Sequence, residues 1–423
     1  MSNDGESQPE SPRKVPPLGW VTRVALLLAA GFFLFVTFRE DFTVPNGQQF
    51  AFLAQSFLHG NLGFPERPGA WADTSLYNGM HYWPLGPFPA VFLMPFEWIV
   101  AATGGFFRQG FIQPFLVLGL LALIYRLARR SAYDREDSAY LAFGFAFASA
   151  FLGVALWPWS WQFAQLLCCV LLFAAVAEMI GKRRPWLLGI YFALILATRV
   201  TAALGVLWCV GEFLFAADSW RKKLASLAGL LVPCLISLAF LLWYNEARFD
   251  NPFDQGYQEQ LVAPWAAATR AQGILSLRHL PCNLYYLMLA GPVPIQQDNA
   301  STVLGFPYFI ANPWGMSIFI TSPCLLWMIG LAYRDLTSRL LWAVSGIIAV
   351  PLLLYYAVGA QQFGYRYSLD FLPFLYYLLL RNRQMQRGPL TPGFKFLLIA
   401  SAFFNLYLFA GHFIWNAKPM PTG

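Results

Sequence analysis

The stretch Gln361–Pro373, QQFGYRYSLDFLP, sets Arg366, Asp370 and several tyrosine and amide groups between two long apolar runs. Charges beside a bilayer are expensive unless they face water, a partner or a substrate, so the place of this polar island decides how the chain is read. Of the 423 residues, 58% are hydrophobic and 12% charged, against roughly 25% charged in a soluble domain. The chain therefore reads as an integral membrane protein. Its net charge of +7 comes from Lys and Arg clusters between apolar segments, which is an orientation signal rather than the footprint of a nucleic-acid binder. Membrane lipids are expected partners and nucleic acid is not.

The cysteines and histidines exclude further classes. Cys168, Cys169, Cys209, Cys234 and Cys324 lie in apolar runs and only Cys282 in a polar region, so no disulfide framework is expected. His59, His81, His279 and His412 are scattered without metal-ligand spacing, and no protein-built zinc site is expected. There is no Walker loop, dinucleotide fingerprint or nucleophile elbow.

Working outward from the island, the positive-inside rule orders the spans. Residues 1–18 are polar and Pro-rich and read as a disordered cytoplasmic tail. Val21–Phe38 follows as a retained signal anchor, because FREDF and no small-residue cleavage site comes after it. The basic junctions Arg126–Arg130, Lys182–Arg184, Arg221–Lys223, Arg334–Arg339 and Arg381–Arg387 must then share the cytoplasmic side. Phe111–Tyr125 enters, and Tyr140–Trp157 and Trp161–Ile180 form a hairpin whose turn, WPWSWQ, sits where an aromatic belt would place it. Trp186–Ala216 is too long for one span and is divided at ATRVT around Arg199. Leu224–Tyr244, Trp314–Tyr333, Leu340–Val358, Asp370–Leu380 and Phe394–Trp415 complete the set. The expectation is an all-α polytopic bundle of about eleven spans, formed by residues 19–423, with the N-terminus inside and the C-terminus outside.

Pro84–Val100 is apolar enough to cross, but a crossing would put RLARR outside. Its four prolines would break a regular helix and Glu97 would be buried, so we read a re-entrant or interfacial segment. A twelve-span arrangement is the alternative. In either case the unusual polar groups gather on the outer face. Residues 39–83 carry Asp41, Asn46, Gln49, Asp73, His81 and Tyr82, residues 245–304 carry Arg248, and Arg199 lies at a third outer turn. Transporters place such groups near the midplane on repeated, broken helices. This pattern favours chemistry at the membrane surface.

Several motifs carry a resemblance. FLAQSFLHGNLGF followed by ADTSLYNGMHYWPLGPFPAVFLMPF resembles the first outer loop of GT-C glycosyltransferases of the dolichyl-phosphate-mannose protein mannosyltransferase and lipid A aminoarabinose transferase type. TRVT (198–201), YNEARFDNPFDQGY (244–257) and FGYRYSLDFLPFL (363–375) resemble bacterial members. The resemblance implies transfer of a sugar from a polyprenyl-phosphate carrier to a lipid, glycan or protein hydroxyl, at the outer face of a bacterial cytoplasmic membrane. An arginine fork suits the departing phosphate. Arg366, between Tyr365 and Tyr367, is the first candidate, with Arg199 and Arg248 behind it and Asp370 orienting it. A carboxylate must take the acceptor proton, and Asp41 and Asp73 are the candidates. Asn46, Gln49, His81 and Tyr82 are candidates for the sugar pocket. In the family the catalytic aspartate lies about eight positions before the alanine of the amphipathic segment, and Asn46 stands there. Some members hold a divalent metal at the donor phosphate, but no clear carboxylate pair assigns one to this chain.

Each residue also has a structural reading. Arg366 and Asp370, four apart, would form a local ion pair. Asp41 would be a solvated boundary charge, Asp73 a helix cap before Thr74 and Ser75, and Arg199 a snorkelling side chain. Two other functions stand beside the transferase. A lipid-linked glycan transporter predicts charges deep in the spans, for which Arg199, Glu178, Glu212 and Glu97 are the candidates. A non-catalytic envelope-assembly scaffold is kept open by Asn46.

Overall fold

Long apolar runs become helices because a backbone in hydrocarbon must satisfy its own polar groups. The computed structural model describes residues 19–43, 47–64, 73–297 and 300–415. The chain begins with α1 (Trp20–Thr43), α2 (Gln49–Leu58) and α3 (Phe88–Ala101). It continues through α4 (Gln113–Arg130), α5 (Arg135–Phe147), α6 (Phe151–Leu156), α7 (Ser160–Met179), α8 (Pro185–Leu196), α9 (Val200–Ala203), α10 (Val206–Leu214) and α11 (Trp220–Phe249). After the short α12 (Pro264–Arg270), α13 (Leu280–Met288) and α14 (Ile318–Thr321), the chain closes with α15 (Leu336–Leu354), α16 (Leu372–Arg387) and α17 (Pro392–Phe409).

Local chemistry starts several of these helices. Asp134, Asp335 and Thr391 accept hydrogen bonds from the backbone N–H groups of Asp137, Ser338 and Phe394, satisfying donors that each helix start leaves free. Among the described residues, five helices are long and apolar enough to cross a membrane: Gln109–Arg130, Ser160–Met179, Trp220–Phe249, Leu336–Leu354 and Pro392–Ile414. Of the apolar window of α7, 83% is buried, against 6% for α11. Helix α7 is therefore central, and α11 presents its length to the surroundings of the bundle.

The chain is mostly helical, with several departures from expectation. It is not all-α. Strands β1 (Ser75–Tyr77) and β2 (Met80–Tyr82) form a hairpin, and β3 (Val293–Gln297) pairs with β4 (Ala300–Ile310). The first hairpin turns at Asn78-Gly79, both at positive φ, as a tight two-residue turn demands. The segment 84–100 holds one continuous helix through Pro95, where a break was expected. At 14 residues it is about 21 Å long, short of the hydrocarbon core. The expected span Trp314–Tyr333 is instead α14 followed by a 3₁₀ turn, Pro323–Met328; Pro323 removes a donor where α14 would continue. Tyr140–Trp157 is interrupted between Phe147 and Phe151. The break expected at Arg199 is present, between α8 and α9.

That break meets the polar island. Gly86 lies against Ala197, and a Cβ at Gly86 would come within 2.2 Å of the Ala197 carbonyl. Arg199 Nε and Nη2 donate to Asp370 Oδ1 and Oδ2 at 2.6 and 2.9 Å, and Thr201 donates to the same carboxylate. The local Arg366–Asp370 pair is therefore not formed. Residues 366–370 are a 3₁₀ turn, which has three residues per turn, so positions four apart do not share a face. The Arg199 and Asp370 side chains are 7% and 1% exposed. Removing one partner leaves a buried charge uncompensated, at a cost of about 3–5 kcal/mol. Arg199→Met alone should therefore lower the unfolding free energy in detergent by that amount, and the double variant Arg199→Met/Asp370→Leu by clearly less. A double-variant loss equal to the sum of the separate Arg199→Met and Asp370→Leu losses would show that the pair is not coupled.

Candidate active site

Two loops distant in sequence are joined beside the bundle. The Asp73 N–H donates to the Leu261 carbonyl at 2.6 Å, Leu261 N–H to Thr74 at 2.9 Å, and Leu76 N–H to Glu259 at 3.1 Å. Gln260 Nε2 reaches the Asp73 carbonyl at 3.2 Å, and Ser75 Oγ donates to Gly256 at 2.6 Å. Asp73 is at φ 75°, a region that Asp enters more readily than most residues. It leads into β1 and caps no helix, so the structural reading of it as a cap fails.

A second element is the turn Trp157–Trp161 at the start of α7. Gln109 Nε2 donates to the carbonyls of Gly47 and Pro158, and its backbone N–H donates to Gln48 Oε1 at 2.9 Å. Ser160 Oγ donates to Gly47 at 2.7 Å. Gly47, at φ 85°, allows this approach: a Cβ there would lie 3.0 Å from the Trp159 ring. Trp159 and Trp161 are thereby turned into the protein and do not form the surface belt expected of WPWSWQ.

The third element is the polar island. Arg366 is buried, its Nη1 3.3 Å from Gln165 Oε1, while Gln165 Nε2 donates to the Arg366 carbonyl at 3.0 Å. Its guanidinium carbon lies 4.7 Å from the Tyr367 ring centre and 6.0 Å from that of Trp161. Its Nε has no hydrogen-bond partner among the described residues.

These three elements enclose a cavity of about 490 Å³. Asp73, Arg366, Trp159, Trp161, Tyr356 and Tyr367 are among its walls. Burial raises the Asp73 carboxyl above its ordinary value, while a hydrogen bond from Trp161 and the positive charge of Arg366 pull it down. A carboxyl on a cavity wall beside a cation is placed to accept a proton from a bound hydroxyl. Among the described residues, Asp73 is the cavity's only carboxylate, and no three His, Cys, Asp or Glu side chains converge anywhere.

The candidates from sequence divide accordingly. Asp73, Arg366 and Tyr367 meet in the cavity. Asp370 and Arg199 are consumed by each other. Tyr365 turns away and donates to Asn283 Oδ1 at 3.1 Å. Arg248 is buried, bound to the carbonyls of Trp83 and Tyr244 and to Asn245 Oδ1, and lies outside the cavity lining. His81 Nδ1 is 3.0 Å from Thr74 Oγ1, Tyr82 packs edge-on to Phe249, and Gln49 is buried on α2. Asp41 falls in the last turn of α1, its side chain outside what is described, and Asn46 lies outside the described residues. The sequence reading missed Trp159, Trp161, Gln162, Gln165, Gln260, Trp265, Trp314, Tyr355 and Tyr356. Gln162 and Gln165, one turn apart in an apolar span, were the available signal.

No protein-family model and no curated protein matches the sequence. Among solved structures, the apo oligosaccharyltransferase of Archaeoglobus fulgidus aligns at 14% identity over 92% of this chain and 56% of that one, with TM-score 0.44. The archaeal oligosaccharyltransferase AglB from the same organism, in complex with an inhibitory peptide and a dolichol-phosphate, aligns at 15% identity over 93% and 56%, with TM-score 0.41. The chain spans a little over half the length of these proteins.

The Asp73 shift has a thermodynamic sign. A carboxyl whose folded value lies above its unfolded value of 3.8 binds its proton more tightly when folded, so its contribution to stability is lost as pH rises from the unfolded to the folded value. Asp73→Asn should therefore match the parent in thermal unfolding at pH 3.5 and be equally or more stable at pH 7. A variant less stable at pH 7 than the parent would assign Asp73 a structural role.

Proposed function

We propose that the chain is a membrane glycosyltransferase that moves a sugar from a polyprenyl-phosphate carrier to a hydroxyl acceptor on the non-cytoplasmic face. The observation that carries this reading is the pairing, in one aromatic-walled cavity, of a buried arginine with a free Nε and a carboxyl held up by burial. Arg366 binds the carrier phosphate. Asp73 takes the acceptor O–H proton as the acceptor oxygen bonds the anomeric carbon. The bond from that carbon to the phosphate oxygen breaks, and its electron pair leaves on the polyprenyl phosphate. Charge building on that oxygen meets a guanidinium already in place, in a site where water is scarce. The positive-inside pattern supports the placement of the cavity on the far side of the membrane.

The transporter reading requires charges available deep in the bundle. Glu178 and Glu212 are bound by Arg184 and Arg183, Arg199 by Asp370, and Glu97 accepts the Phe107 N–H at 2.7 Å. Three of the four candidates are ion-paired, and Glu97 is held through one oxygen while its Oε1 has no partner among the described residues.

The test is release of polyprenyl phosphate from labelled polyprenyl-phosphate sugars by the purified, reconstituted chain, with an envelope extract as acceptor. Asp73→Asn should lower the rate by about 10²- to 10⁴-fold, and Arg366→Ala should abolish it. Full activity in both variants would contradict the reading. Activity kept in Asp73→Asn but lost in Asp41→Asn would move the base to α1.

A further inference from the structure

Arg366 Nε is not the only buried polar atom in the cavity lining without a partner. Trp159 Nε1 and Gln162 Oε1 are also buried and unpartnered among the described residues. The Gln162 residue is 4% exposed. An unmade hydrogen bond at a buried group is costly, and three such atoms on residues of one cavity wall suit a ligand that satisfies them.

Their order along the chain gives the ligand's layout. Trp159 precedes α7, Gln162 lies in its first turn, and Gln165, one turn further, holds Arg366. Between them Trp161 shares the cavity wall with Asp73 and lies 6.0 Å from the Arg366 guanidinium carbon. The proton acceptor and the phosphate clamp thus bracket Trp161, and Trp159 and Gln162 flank it.

We propose, resting on the transferase reading above, that Trp159 and Gln162 form the subsite that recognises the transferred sugar, and that this sugar is a neutral pyranose or furanose. An indole N–H only donates, whereas the glutamine amide oxygen accepts. A ring bearing at least two hydroxyls answers both, one accepting from Trp159 and one donating to Gln162, while the indole faces cover its C–H faces. An apolar chain in this position would leave both groups unmatched. Asp73 and Arg366 are the only charged groups lining the cavity among the described residues, and the reaction uses both. Among the described residues no further charge lines the cavity to pair with an amino sugar or a uronic acid. The subsite is also pre-organised: Trp159 stacks on Trp157 with ring centres 4.7 Å apart, and Gln109 and Ser160 pin the turn from behind.

The experiment compares three probes on the reconstituted full chain by titration calorimetry: farnesyl phosphate, farnesyl phosphate carrying a neutral hexose, and farnesyl phosphate carrying 4-amino-4-deoxyarabinose. The neutral hexose should add about tenfold in affinity over farnesyl phosphate alone, and the amino sugar should add less. Gln162→Leu and Trp159→Phe should each remove most of the hexose increment while leaving farnesyl phosphate binding unchanged, which also shows that they fold. Equal affinity for all three probes, an increment that survives both substitutions, or a preference for the amino sugar would overturn the proposal. An increment that depends on Trp159 and Gln162 in a protein that turns over no donor would support the subsite and overturn the transferase reading. Turnover of a neutral-sugar donor that is indifferent to both substitutions would overturn the subsite alone.

Discussion

The bidentate pair between Arg199 and Asp370 determines what the rest of the polar island can do. By taking both oxygens of Asp370, Arg199 leaves Arg366 without a carboxylate partner, four residues earlier and equally deep. An arginine cannot shed its charge, so a buried one without a counter-ion is tolerated only where rings and amides surround it or an anion arrives. Tyr367 and Gln165 provide the first. The free Nε is the opening for the second.

The cavity is assembled from pieces that are each fixed by backbone hydrogen bonds. Asp73 is held because residues 73–76 pair with residues 259–261, joining the first large loop to the one after α11. The tryptophan turn is held by the Gln109 amide and by Gly47. Arg366 is held by α7 through Gln165 and by the pair that anchors the other end of its 3₁₀ turn. In the proposed transfer, positioning of this kind would remove reorganisation at the moment of reaction. It also explains why the polar residues are dispersed in sequence: each belongs to a different supporting element.

Much of the scaffold was legible because the hydrophobic effect and hydrogen-bond satisfaction act on long windows. The runs that became α1, α11, α15 and α17, and the break at Arg199, followed from length and charge alone. The passage of α3 through Pro95 did not, since propensity gives way to the packing of a buried helix. The Asn78-Gly79 hairpin carried a sequence signature that the apolar context hid. Of the residues singled out from sequence, Arg366, Asp73 and Tyr367 do meet in one cavity. Two errors had physical causes. A four-residue spacing suggests a pair only in an α-helix, and the true partner of Asp370 lies 171 positions away. Tryptophans beside a span suit a lipid interface and a cavity wall equally well, and only the position of Gly47 and Gln109 behind the turn separates the two.

The central claim is that Arg366 receives a lipid-linked phosphate inside this cavity. The most direct measurement is an electron cryomicroscopy structure of the reconstituted chain with farnesyl phosphate. The account predicts phosphate density within hydrogen-bond reach of Arg366 Nε and beside Asp73, with the Arg199–Asp370 pair intact. Phosphate bound elsewhere, with Arg366 still resting on Gln165 and Tyr367 and the cavity empty of it, would contradict the account.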